Sequence, residues 1–345
     1  MTRFRRSSSV ILPVVLLLAL SGCAVASNAA TSTASPSPSA TPSVETPTVV
    51  ERPAVAFDGD CAAVFGDAGA ATFTAGATSL PIVADELIGV ARTIEVLGGF
   101  RCSGGDAIAG DALSMTVVPT AALDGRAPAQ ATTCSESDSG AGPQRECWAT
   151  VETGGYSMSA WAIAAPASSF DPEAVVAEAS SRLAAAADGS APVVVALPDG
   201  SWAPRTECAP IAAAAATVLG DGVTGAYDRT TAGGPGMDVG FAADDAVGWG
   251  RCVLSPGAGD PARDIAVTFL PGAGWALEEL LSSGAATSTE VDGAVLAAAV
   301  TGDAGDMFGD GIAATDGVNL MFVTTQYADA EPPTEALAAA ILAAS

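Results

Sequence analysis

Leu97-Gly98-Gly99-Phe100-Arg101-Cys102 and Val247-Gly248-Trp249-Gly250-Arg251-Cys252 are two versions of one phrase. The resemblance extends outward in both directions. Cys61 stands 41 residues before Cys102, and Cys208 stands 44 before Cys252. Downstream, Leu113-Ser-Met-Thr-Val-Val-Pro119 matches Ile265-Ala-Val-Thr-Phe-Leu-Pro271. Thr153-Gly-Gly-Tyr-Ser-Met-Ser-Ala-Trp161 answers Thr315-Asp-Gly-Val-Asn-Leu-Met-Phe-Val323, and each half closes on an alanine-rich segment. Matched features in a constant order mark an internal repeat. The expected halves span residues 51–190 and 191–345.

The elements follow from local chemistry. Cys61-Ala-Ala-Val-Phe65 and Cys208 to Leu219 read as opening helices, the second stopped by Gly220. The stretches ending at Cys102 and Cys252 read as a first strand. Those ending at Pro119 and Pro271 alternate and read as a second. Thr153-Gly154-Gly155 and Asp316-Gly317 are hairpin turns, each feeding a strand. Asp171 caps a closing helix with Pro172 at its first position, and Val175, Ala179 and Leu183 are spaced as its buried stripe. Thr334 caps the matching helix, with Leu337 and Ile341 inward. Trp275 to Leu281 reads as an extra helix. The expected fold is α+β: two tandem similar domains, each an antiparallel sheet with an opening and a closing helix.

The N-terminus has three zones: the cationic Arg3, Arg5 and Arg6, an apolar run from Val10 to Leu20, then Leu20-Ser21-Gly22-Cys23. As a helix that run rises only about 16 Å, against a hydrocarbon core of about 30 Å. It suits a signal peptide rather than a membrane span. Leu-Ser-Gly-Cys resembles the lipobox of bacterial lipoproteins. The resemblance implies diacylglycerol on the Cys23 thiol, cleavage between Gly22 and Cys23, and a chain held to the outer face of the cell membrane. From Cys23 to Val50 the chain is Ser, Thr, Pro and Ala with Glu45 as its sole charge, a composition that buries too little to fold and reads as a tether.

With Cys23 assigned to lipid, Cys61, Cys102, Cys134, Cys147, Cys208 and Cys252 remain. An even set in an exported chain reads as disulfides, with several connectivities open on count alone. The repeat narrows them, because equivalent positions should do equivalent work. Cys61–Cys102 and Cys208–Cys252 pair within their halves, which leaves Cys134–Cys147 as a local clip. Lipobox, tether and an early cysteine paired with one behind an aromatic-bearing strand together resemble actinobacterial cell-envelope lipoproteins and the PsbP-like α+β fold. That resemblance implies a binding or accessory role and brings no catalytic residue with it.

Composition removes most catalytic machinery. The chain has 13 Lys+Arg, all arginine, against 39 acids, no histidine, and a net charge of −26. Without histidine or lysine there is no Ser-His-Asp triad, Schiff base or P-loop. Such a surface repels nucleic acid, which is bound by clustered Lys/Arg. Asp138-Ser139-Gly140 resembles an aspartic-protease triplet but has no second copy and reads as a loop tip. Asp244-Asp245 reads as a solvated acidic loop. Asp303, Asp306 and Asp310 offer carboxylates to Ca²⁺ but miss the alternating ligand register of an EF-hand. No metal, cofactor or catalytic residue is therefore expected. Trp161 and Trp249 read as core, and Arg101 and Arg251 as partners for carboxylates. The expectation is a non-enzymatic envelope protein that binds a small molecule or another envelope protein, with the groove between the halves as the candidate surface. A carboxylate-dependent hydrolase and a sensory ectodomain are the alternatives.

Overall fold

A computed structural model describes residues 48–61, 64, 90–105, 112–139, 142–164, 171–188, 191–204, 207–228, 238–257, 264–301, 310–325 and 334–345. The leader, Gly22, Cys23, the tether to residue 47, Asp303 and Asp306 lie outside the described residues. Along the first half run Val90–Val96 (α1), Phe100–Gly105 (β1), Ala112–Pro119 (β2), Ala131–Ser139 (β3), Gly142–Thr153 (β4), Tyr156–Ala164 (β5) and Pro172–Ala187 (α2). The second half follows with Ala209–Leu219 (α3), Val223–Tyr227 (β6), Asp238–Val247 (α4), Gly250–Pro256 (β7), Ile265–Leu270 (β8), Ala276–Ser283 (α5), Ala286–Ser288 (β9), Leu296–Val300 (β10), Gly311–Thr315 (β11), Leu320–Thr325 (β12) and Glu335–Leu342 (α6). The architecture is α+β with two antiparallel sheets.

The five-stranded sheet has the order β1-β2-β5-β4-β3. In the seven-stranded sheet, β7-β8-β12-β11-β10 repeats that order, with β6 and β9 added at the margins. Three disulfides join Cys61 to Cys102, Cys134 to Cys147 and Cys208 to Cys252, the partners that the repeat spacing selects. The two long bridges tie β1 and β7 to the segments that open each half. Each closes a loop long enough to contribute about 3–4 kcal/mol through the unfolded chain. Cys134 and Cys147 face each other across β3 and β4 in register.

Three expectations are corrected. The stretches before Cys102 and Cys252 are not strands but the helices α1 and α4, and β1 and β7 begin after Gly98 and Gly248 and run through the cysteines. Val239, Ala242, Ala243 and Val247 lie buried at helical spacing, and packing of α4 against α1 overrides the β-branched content of Val90-Ala-Arg-Thr-Ile-Glu-Val96. The buried stripe of α2 passes through Val176, not Val175, and continues to Ala179, Leu183 and Ala187. Asp244-Asp245 lie within α4 rather than in a loop. Asp244 is buried and accepts a hydrogen bond from the Thr93 hydroxyl of α1 at 2.7 Å.

Thr46–Ser345 forms one compact unit. One apolar cluster lies between the first sheet and α2, around Met115, Met158 and Leu183. A second lies between the seven-stranded sheet and helices α3 and α6, around Ile211, Phe269 and Ile341. The third joins the halves: Ile94, Val118 and Leu123 of the first pack with Val239, Trp275 and Leu277 of the second. Among the described residues, the junction between halves is therefore a shared apolar core. Val49 and Val50, at the end of the tether as read from composition, pack on this core, and the Val50 amide donates to the Gly317 carbonyl at 2.7 Å. No helix among the described residues is long and apolar enough to cross a membrane.

Candidate functional site

Strand alternation gives the first sheet two unlike faces. Leu113, Met115, Val117, Met158, Ala160 and Ala162 point to α2. The alternate residues point the other way, and their register forms rows across all five strands. One row reads Ser103, Ser114, Trp161, Trp148, Thr133. The next reads Arg101, Thr116, Ser159, Thr150, Ala131. Hydroxyls, two adjacent tryptophans and one guanidinium thus occupy a face where a packed sheet would carry aliphatic residues, with Thr116, Ser159 and Thr150 buried and the tryptophans half-buried.

The corresponding rows of the second sheet are different. Arg251, Thr268, Phe322, Ala313 and Ala298 form the row that matches Arg101 to Ala131. Phe322, Ala313 and Ala298 sink into the shared core beneath Leu277 and Leu280 of α5. At the place of Trp148 stands Gly311, where even a Cβ would lie 2.6 Å from the Val323 carbonyl oxygen. Space is closed there. The chain between β2 and β3 is described in full and carries only the 3-10 turn Thr120–Leu123 where the second half inserts α5. Among the described residues, α4 of the second half is the helix that packs against β2 and β5, and Thr116, Ser159 and Thr150 beneath this face are buried.

Individual groups support the contrast. Trp148 and Trp161 are half-buried, and the Trp161 indole N–H donates to Glu146 of the same face. Arg101 is exposed and donates to the Ser114 hydroxyl at 3.3 Å, whereas Arg251 is buried with Asp228 3.8 Å away. Burial lowers the Arg251 pKa, and the Asp228 charge opposes that shift. Ser159 is 1% exposed, and its hydroxyl has no hydrogen-bond partner among the described residues. A buried hydroxyl left unmade costs about 1–3 kcal/mol. At one end α4 closes the face over Val118, which joins the shared core. Thr133, Ser135 and Ser103 leave its two strand margins open to solvent.

Trp161 is thus not a core residue, while Trp249 is. The error is one of register. The turn between β4 and β5 has two residues and that between β11 and β12 has four, so Trp161 corresponds to Thr324 and not to Val323. A slip of one residue moves a side chain to the opposite face. The signal was present in Ser157, Ser159 and Trp161 alternating with Met158, Ala160 and Ala162.

Other sequence-derived candidates do not converge on a site. Asp138 and Ser139 end β3, and Gly140 lies outside the described residues. Among the described residues no three His, Cys, Asp or Glu side chains are placed to hold a metal ion. A concavity of about 390 Å³ lies beside the first turn of the body, between Arg52, Asp58, Glu95 and Arg101. Its charges largely satisfy one another: Arg52 pairs with Glu95 at 3.1 Å and with Glu279 at 2.9 Å.

No protein-family model matches this chain, and no curated protein does. Among solved structures it is paired with DynU16, a protein of the dynemicin biosynthetic locus, at 13% identity over 77% of this chain and 95% of that one. The TM-score is 0.13, and the pairing carries no argument about fold or role.

Proposed function

We propose that this chain is a lipid-anchored, non-enzymatic binding protein on the outer face of the cell membrane. Residues 1–22 are its signal peptide and Cys23 its lipidated first residue. Two tandem similar α+β halves, 51–190 and 191–345, form its body on a tether that begins at Cys23. The second half serves mainly as scaffold, and the first presents the ligand surface. One observation carries this reading: of two sheets with the same strand order, one lays Phe322, Ala313 and Ala298 under α5, and the other carries hydroxyls and the half-buried pair Trp148 and Trp161 at the corresponding positions. Holding Ser159 buried without a partner destabilises the fold, and such costs are retained where function needs them. The strong negative charge keeps the body off anionic headgroups, so that the face is presented clear of the bilayer.

Expression in a bacterium with a lipoprotein pathway tests the anchor. The protein should partition into detergent-rich phase, and the mass of its N-terminal peptide should equal that of a diacylglyceryl-modified Cys23. Cys23→Ser should abolish both. A protein that stays aqueous with an unmodified Cys23 thiol would refute the anchor and the location together.

A further inference from the structure

We propose that the Cys134–Cys147 bridge is a redox switch, opened by a dithiol reductant while the other two bridges stay closed and the fold persists. The three bridges differ in access. Cys208 and Cys252 are both buried, and Cys102 is buried against a partly buried Cys61. Of the six bridged cysteines, Cys134 is the exposed one. It sits on β3, the margin strand of the first sheet, where Ala131 to Glu136 all face solvent. Thiol–disulfide exchange follows access to a sulfur, so a thiolate in solution meets this bridge first. The same bridge is the one that the fold can spare. β3 and β4 already pair in register from Ala131 with Thr150 to Ser139 with Gly142. The equivalent strands of the second half, β10 and β11, pair from Leu296 with Thr315 to Val300 with Gly311 and carry no cysteine. A separation of 13 residues also restrains the unfolded chain less than separations of 41 and 44.

The exchange balances in two steps. A thiolate of the reductant attacks the Cys134 Sγ, the Sγ–Sγ bond breaks, and Cys147 leaves as a thiolate that takes up a proton. The second thiol of the reductant, as thiolate, then attacks its own sulfur in the mixed disulfide and releases Cys134. The reductant ends as a disulfide, two electrons poorer, and the protein ends with two thiols. The leaving group selects the class of reductant. Cys147 is buried in the row of Leu113 and Ala162, on the α2 side of the sheet. A thiolate released there is poorly solvated and sits beside the mixed disulfide, so it reattacks and expels a monothiol. A dithiol escapes that reversal by closing its own ring. The consequence falls on the margin beside Trp148, because Thr133, next to Cys134, is paired with it. With the clip open, β3 is held to β4 by pairing without the covalent tie, and its amides open more often.

The test uses the full chain, purified in its oxidised form and treated with dithiothreitol without denaturant. Free thiols are alkylated at timed points. The remaining bridges are then reduced in urea and alkylated with a heavy-isotope reagent, and peptide masses report each bridge. Cys134 and Cys147 should be alkylated together, at least about tenfold faster than Cys61, Cys102, Cys208 or Cys252. The tryptophan circular dichroism should persist, and β3 amides should exchange hydrogen several-fold faster than in the oxidised protein. Cys134→Ala combined with Cys147→Ala should reproduce that faster exchange. A long bridge that opens first or at the same rate would overturn the proposal. So would an opening of Cys134–Cys147 that occurs only with loss of the tryptophan signal. Unchanged β3 exchange in the reduced protein would show that the clip switches nothing, whatever the variant does.

Discussion

Ser159 is where sequence, stability and function meet in one atom. Its strand alternates serine and tryptophan with methionine and alanine, its side chain is buried, and its hydroxyl has no partner among the described residues. Were the face simply core, alanine or valine would serve better there. Ser159→Ala removes the unmade hydroxyl with almost no change of volume. It should leave stability unchanged or raise it by up to about 1 kcal/mol, read from thermal or urea unfolding. A loss of more than about 1 kcal/mol would mean that the hydroxyl already has a structural bond and that no binding role is needed to explain it. Tyr156, near the same strand's start but on the α2 side, shows the ordinary outcome. Burial in the apolar cluster raises its phenol pKa, so it stays neutral and packed below the usual tyrosine range and is destabilising only when strong alkali ionises it.

At the scale of elements, the junction is held by charge as well as by apolar packing. Arg92 of α1 is 2% exposed, pairs with Glu95 at 2.6 Å and Glu279 of α5 at 3.2 Å, and lies 5.3 Å from the ring centre of Trp275. Arg52, from the segment after the tether, sits 5.2 Å from the same ring and reaches the same two glutamates. Removing the inner arginine leaves the more exposed Arg52 as the remaining cation for Glu95 and Glu279 beside a buried indole. Arg92→Ala should cost about 3 kcal/mol by denaturant unfolding, and Arg92→Lys should recover only part, since an ammonium lacks the planar fork that spans both partners. A cost within about 0.5 kcal/mol would show that the cluster is incidental. These elements also mark what the sequence made legible. The capped helices α2 and α6, the glycine turn at Gly154-Gly155 and the paired cysteines follow from local chemistry and were readable as such. Helices α1 and α4 were read as strands, because their identity depends on each other across the junction. The Trp148–Trp161 strip was hidden by two extra residues in one turn, a register detail that only strand pairing reveals.

Across the whole molecule, two sheets of the same strand order have different surroundings. The second buries both faces and, with α1, α4 and α5, shares a core with the first. The first buries one face under α2 and keeps the other polar. The described chain starts beside the second half, where the Val50 amide donates to the Gly317 carbonyl. On this account the polar face is occupied where the protein works. Oxidative footprinting of tryptophans, on intact cells and on the purified protein, asks this directly. Trp148 and Trp161 should be oxidised several-fold more slowly in cells than after purification, while Trp202 on the other half reacts alike in both. Equal rates for Trp148 and Trp161 in the two settings would contradict the claim that this face meets a ligand in the envelope.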